Sequence, residues 1–169
     1  APTLRPELGF GRSARLTGNI GRAFQGYIPL GKGWDLSEIE VSELLEERSV
    51  DYSRVVVGFL TGDDLYAKTS PSPSSHKISF GKMSLEEAEA YPLAMRLVRS
   101  RVKPEREKFK GDHRAILWEN WWRWAETRPA LESASEVLDK LFGVVIHTTE
   151  PIPVWFDSSL KVNHGIIAF

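Results

Sequence analysis

The side chains that most often do chemistry are present in this sequence, but not at working spacings. His76, His113, His147 and His164 are the only histidines, and no two stand in the HExxH spacing that puts two imidazoles on one helix face for a metal. There is no GxSxG elbow to expose a serine nucleophile. No Asp or Glu stands two positions before any lysine, so the acidic-lysine core used by many metal-dependent nucleases has no counterpart. Cysteine is absent, which excludes disulfides and thiolate metal sites and suits a reducing compartment. Two short runs remain. Gly31-Lys32-Gly33 resembles a phosphate cradle, but neither GxxxxGK[ST] nor GxGxxG is completed, and the run reads as a glycine turn. Gly62-Asp63-Asp64 also reads as a turn, with a divalent ion on the paired acids as the alternative. Catalysis by this chain alone is not expected, and neither is a metal or cofactor of its own.

Recognition is the other chemistry on offer. Residues 102–124, VKPEREKFKGDHRAILWENWWRW, gather seven basic residues, His113 included, and four of the chain's six tryptophans. Residues 96–128 carry ten Lys or Arg against five Asp or Glu, whereas residues 34–47 carry six acids and no base. The net charge of −1 argues against an all-round polyanion binder. A basic run sharing one face would still set up a local positive field, although such a run also fits an ordinary solvated face. Cations interleaved with aromatic rings suit phosphates and bases better than a small substrate.

These residues must be positioned by a fold of modest size. A chain of 169 residues supports one domain with a sizeable core. No apolar run approaches the roughly 20 residues of a membrane helix, and residues 1–16 hold no continuous apolar stretch of a secretory signal, so a soluble, cytoplasmic location is expected. Runs rich in β-branched and aromatic residues predict strands over residues 54–60, 76–80, 143–149, 152–156 and 165–169. Ser37 with Glu40, and Ser84 with Glu87, have the spacing of capping boxes and predict helix starts. Pro92 should end or kink the second of these helices, with the helical pattern resuming after it. A helix over residues 114–126 would carry Trp118, Trp121, Trp122 and Trp124 on more than one side and bury several of the rings. Pro129 suits a first helical turn, and Ala130, Leu131, Ala134, Val137, Leu138 and Leu141 follow at the spacing of a buried stripe. Strands and helices mix without regular βαβ alternation. The expected class is therefore α+β, a mixed and mainly antiparallel sheet packed with several helices in a single domain.

Several segments in order are more specific than any one. NIGRAFQGYIPLGKGWDLS (19–37), FLTGDDL (59–65), SSHKISFGKMSLEEAEAYP (74–92), VKPERE (102–107) and WWRWAETRPAL (121–131) resemble the target-recognition region of type IIG/IIL restriction-modification enzymes of the MmeI and Eco57I kind, and of related BREX-type DNA methyltransferases. The resemblance covers about residues 16–148. It implies a module that reads duplex DNA beside an adenine-specific, S-adenosylmethionine-dependent methyltransferase domain in phage defence. The Asn-Pro-Pro-aromatic motif of such a methyltransferase is not in this sequence: Asn19, Asn120 and Asn163 are followed by Ile, Trp and His. Residues 1–169 are accordingly expected to be a recognition piece, either a fragment or a stand-alone remnant.

Within that resemblance, phosphate contacts set register and a few polar side chains read base edges. The backbone candidates are Lys103, Arg106, Arg114, Arg123 and Arg128, with an ion pair to Glu105 as the rival role of Arg106. The base-reading candidates are His147, Thr148, Thr149, Lys161, Asn163 and His164, chosen from the loops that border the last strands; plain surface polarity is their alternative. The alternative function is a protein-interaction domain of a defence complex, docking through the basic helix.

Overall fold

The structure, a computed structural model, describes residues 21–66 and 70–169. The start of the first motif, at 19–20, lies outside the described residues.

The helices begin where their caps predict. In α1 (Glu38–Glu46), the Ser37 side chain accepts from the Glu40 amide while the Glu40 carboxylate accepts from the Ser37 amide. Ser84 and Glu87 do the same at α3 (Leu85–Glu89). Each reciprocal pair satisfies amides that a helix start leaves without intrahelical partners. Pro92 separates α3 from α4 (Pro92–Arg101) by occupying the first turn of the latter, where its missing N–H costs nothing. Ala94, Met95 and Val98 bury one stripe of α4, and Val102 continues it. Pro104 then opens a separate turn, α5 (Lys103–Glu107). The run Gly62-Asp63-Asp64 opens another helical turn, α2 (Gly62–Tyr66), with the Asp64 carboxylate accepting from the amide and hydroxyl of Thr61.

Two helices are shorter than their patterns predict. Instead of a helix over 114–126 there is a single turn, α6 (Ile116–Glu119), after which the chain bends at Asn120. The indoles explain the break. Trp122 Nε1 donates to the Met83 carbonyl at 3.0 Å and Trp124 Nε1 to the Ile78 carbonyl at 2.9 Å, and a buried indole N–H without an acceptor is expensive. The final helix, α7 (Pro129–Ser135), stops before Val137 and Leu138, which are exposed. Leu141 is buried, but in a strand: residues 140–145 pair with neighbours on both sides, and those two ladders outweigh the helical pattern.

The strands are β1 (Phe24–Gln25), β2 (Asp35–Leu36), β3 (Val56–Leu60), β4 (Ser75–Ile78), β5 (Lys140–Val145), β6 (Val154–Asp157), β7 (Lys161–Val162) and β8 (Ile166–Ala168). They form two four-stranded sheets, ordered β1-β8-β5-β6 and β2-β4-β3-β7, antiparallel except where β7 runs beside β3. The fold is α+β, as expected, with its strands divided between two sheets. Residues 24–30 form a strap across both. Phe24 pairs with Ala168, the Tyr27 amide donates to Val162 at 2.8 Å, and Ile28 exchanges bonds with Glu126. One apolar core joins the sheets, and Trp124 stands edge-on to both Tyr27 and Phe59 within it.

Among the described residues, two that are not glycine hold left-handed backbone, Leu30 (φ 58°) and Arg128 (φ 47°). Such a conformation costs an L-residue about 1–2 kcal/mol. Arg128 is compensated, because its guanidinium bonds the strap and Pro129 starts α7 directly after it.

Candidate nucleic-acid interface

The basic run of 96–114 follows the outer side of α4 and α5 and the turns after them. Its cations lie against rings. Lys103 Nζ is 5.1 Å from the Trp121 ring centre, Lys108 Nζ 5.1 Å and the Arg114 guanidinium 4.3 Å from that of Phe109, and Lys110 Nζ 5.5 Å from that of Trp118. A ring face under a cation restricts a long side chain at little desolvation cost, and leaves its outer donors to solvent or to an anion. Among the described residues, no carboxylate ion pair holds Lys103, Lys108 or Lys110. Other basic side chains of the run are partnered: Arg99 with Glu89, Arg101 with Glu40, and both His113 and Arg114 with Asp112. The Arg101 pair fastens the acidic helix α1 to the basic helix α4. Part of the charge contrast visible in the sequence is therefore settled inside the molecule.

Of the five backbone candidates, Lys103 and Arg114 stand on this ridge. Arg106 does not. It is 1% exposed, and its Nη2 donates to the carbonyls of Pro29 at 2.8 Å and Leu30 at 3.1 Å. Burial pulls its pKa down, partly offset by the nearby Glu105 carboxylate. A guanidinium enclosed in this way holds the strap and reaches no phosphate, so the backbone role expected of Arg106 is corrected to a structural one. Its partners are main-chain carbonyls, not a Glu105 ion pair. Arg123 is also largely committed, donating to the Met83 carbonyl at 2.9 Å from Nε and to Lys82 at 2.7 Å from Nη2. Arg128 donates to the Gly26 carbonyl at 3.0 Å and pairs with Glu126 at 3.4 Å. Arg106 and Arg128 thus grip the strap at its two ends.

The base-reading candidates fall into two groups. The Ile146 amide donates to the Gly165 carbonyl at 2.8 Å, which sets the loop after β5 beside the turn between β7 and β8. His147, Thr149 and His164 are exposed there. Thr148 exchanges bonds with the Glu150 main chain, while Asn163 Oδ1 accepts from the Gly165 amide at 2.9 Å and shapes the turn. Lys161 is separate from them. Its Nζ pairs with Glu132 at 2.5 Å, both side chains largely buried, beside a Tyr27 hydroxyl whose pKa is pushed up strongly by burial and by Glu132. This pair lines a cleft of about 400 Å3 together with Arg54, Lys82 and Glu136. The sequence reading missed Lys108 and Lys110, whose signal was the Lys-Phe-Lys alternation of 108–110. Among the described residues, no three His, Asp or Glu side chains converge as a metal site, and no helix is long and apolar enough to cross a membrane.

No family model and no curated protein matches the chain. Among solved structures, it is similar to the type IIL restriction-modification enzyme MmeI in complex with DNA, with a TM-score of 0.57 and 10% sequence identity. The match covers 86% of this chain and 18% of that one. At this identity the likeness is one of fold.

Proposed function

We propose that the chain is a DNA sequence-recognition module of the kind that serves adenine-specific DNA methyltransferases and restriction-modification enzymes in phage defence. It lays its ridge along duplex DNA and carries no catalytic residues of its own. One coincidence supports this reading: a row of ring-backed lysines without carboxylate partners among the described residues occurs on a fold similar to that of a restriction-modification enzyme described in complex with DNA. Lys103, Lys108, Lys110 and Arg114 contact phosphates and set register, while His147, Thr149, Asn163 and His164 present donors and acceptors to base edges. Lys161 joins them only by leaving Glu132. S-adenosylmethionine belongs to the methyltransferase domain of a parent polypeptide. The Gly31-Lys32-Gly33 turn is packed against α4 and α5, since a Cβ at Gly33 would lie 2.8 Å from Val102 Cγ2 and one at Gly31 2.5 Å from a Glu105 oxygen.

The test is fluorescence anisotropy of labelled duplexes at low salt. Binding to all duplexes, weakened alike for each by Arg114→Ala, supports the reading; no binding at low salt refutes it. One observation favours a second reading as a protein-interaction domain. On the outer face of β5 and β6, Phe142 and Trp155 stack with ring centres 3.4 Å apart while Trp155 stays 53% exposed. A large exposed aromatic pair is typical of a protein contact. Association with a protein partner that is lost in Trp155→Ala, together with no affinity for DNA, would select that reading.

A further inference from the structure

Leu30 combines features that rarely occur together. Its backbone is left-handed, as is that of Gly31 (φ 97°). Two nearly inaccessible side chains hold the turn in place: Arg106, through the Pro29 and Leu30 carbonyls, and Trp34, whose Nε1 donates to the Leu30 carbonyl at 3.3 Å. These bonds use main-chain oxygens that any residue would supply, and glycine would adopt the same angles without strain. The leucine side chain is nevertheless 42% exposed and is not among those packed on the core. Ile39 and Leu45 are exposed too, but on the regular helix α1, where exposure alone needs no explanation. At Leu30 an apolar side chain is held outward on a rigid, strained tip. Strain of this kind points to a contact outside the protein.

The tip lies beside the ridge. A Cβ at Gly31 would meet Glu105, and one at Gly33 would meet Val102 and Arg101, so the turn crosses the junction of α4 and α5 from which Lys103 projects. Lys32, also exposed, stands two residues after Leu30 in the chain. An apolar point flanked by lysines suits a base step with a phosphate on either side.

We propose that Leu30 is a wedge that enters the base stack of bound duplex DNA, partly unstacking one step, while Lys32 and Lys103 hold the adjacent phosphates. The inference rests on the DNA-recognition reading above and adds a specific contact to it.

The experiment uses the whole 169-residue chain, duplexes carrying 2-aminopurine at successive positions, and a duplex labelled at both ends for energy transfer. The wild type should raise 2-aminopurine fluorescence at one step and change the end-to-end distance. Leu30→Gly should melt at the same temperature or about 2–4 °C higher, because strain is relieved. It should also bind roughly tenfold more weakly and lose both signals. Leu30→Met should keep them. A Leu30→Gly chain that binds and distorts DNA as the wild type does would overturn the wedge, and so would one that melts markedly lower. Wild-type binding without unstacking removes the wedge alone and leaves the recognition reading standing; a wild type that binds no duplex removes both.

Discussion

Replacing Lys103, Lys108 and Lys110 together by glutamine tests whether the ridge is a phosphate-binding surface. Each of these lysines lies over an aromatic ring and, among the described residues, has no carboxylate partner, which suits it to replace a counterion on DNA. With Arg114 and Lys32 they would make five phosphate contacts, for which log K against log salt should have a slope of about −4.5. Raising salt from about 50 to 200 mM would then weaken wild-type binding about 500-fold. The triple variant keeps only Arg114 and Lys32, so its slope should fall to about −1.8 and its loss over the same range to about 12-fold. Anisotropy titrations at four or five salt concentrations measure both slopes. Lys140→Gln, on β5 and away from the ridge, should leave the slope unchanged. Circular dichroism melts of the triple variant should show a loss limited to the cation–ring contacts, about 0.5–1 kcal/mol each. An unchanged slope in a folded triple variant would refute the assignment, as would a Lys140 variant that falls equally.

Arg106→Ala should be among the most damaging single changes, costing about 3–5 kcal/mol in urea unfolding, because it leaves two enclosed carbonyls without this donor and opens a cavity beside Trp34. Ser84→Ala should cost about 1 kcal/mol by removing the cap of α3, read from the same melts. Glu40 has its pKa held below the usual carboxylate range, first by the bond from Arg101 and then by its capping bonds to Ser37. A carboxylate depressed in the folded state contributes stability that is complete above its unfolded value of about 4.3 and is lost as pH falls through the lower native value. Glu40→Gln should therefore melt slightly below the wild type at pH 7, as for a solvent-screened surface pair, and converge with it in acid; a deficit that stays constant down to pH 2 would contradict the ion pair.

The parts of the fold that were legible in the sequence are those with local causes. Ser37–Glu40 and Ser84–Glu87 carry their partners within three residues, and Pro92 and Pro129 act through their own missing N–H. The helix expected over 114–126 failed for a non-local reason. The acceptors for Trp122 and Trp124 are the carbonyls of Met83 and Ile78, about forty residues away in the chain, and no periodicity within the segment encodes them. Arg106 shows the same limit at the candidate site. In sequence it is one more cation in a basic run, yet in the fold it is enclosed by the strap, while Lys108 and Lys110 of the same run stay outside.

Residue types alone carried the expectation of recognition, from the lack of cysteine, the lack of the familiar catalytic spacings and a surplus of cations among aromatic residues. They also determined where helices start, because caps and prolines act over a few bonds. Tertiary structure alone decided which cations face outward, which ones hold the strap, and that Leu30 stands on a strained tip. Each of these depends on carbonyls and carboxylates brought close by segments distant in the chain, such as Pro29 for Arg106, Glu40 for Arg101 and Glu132 for Lys161. A charge count sums residues one at a time, whereas exposure and pairing are properties of the packed whole.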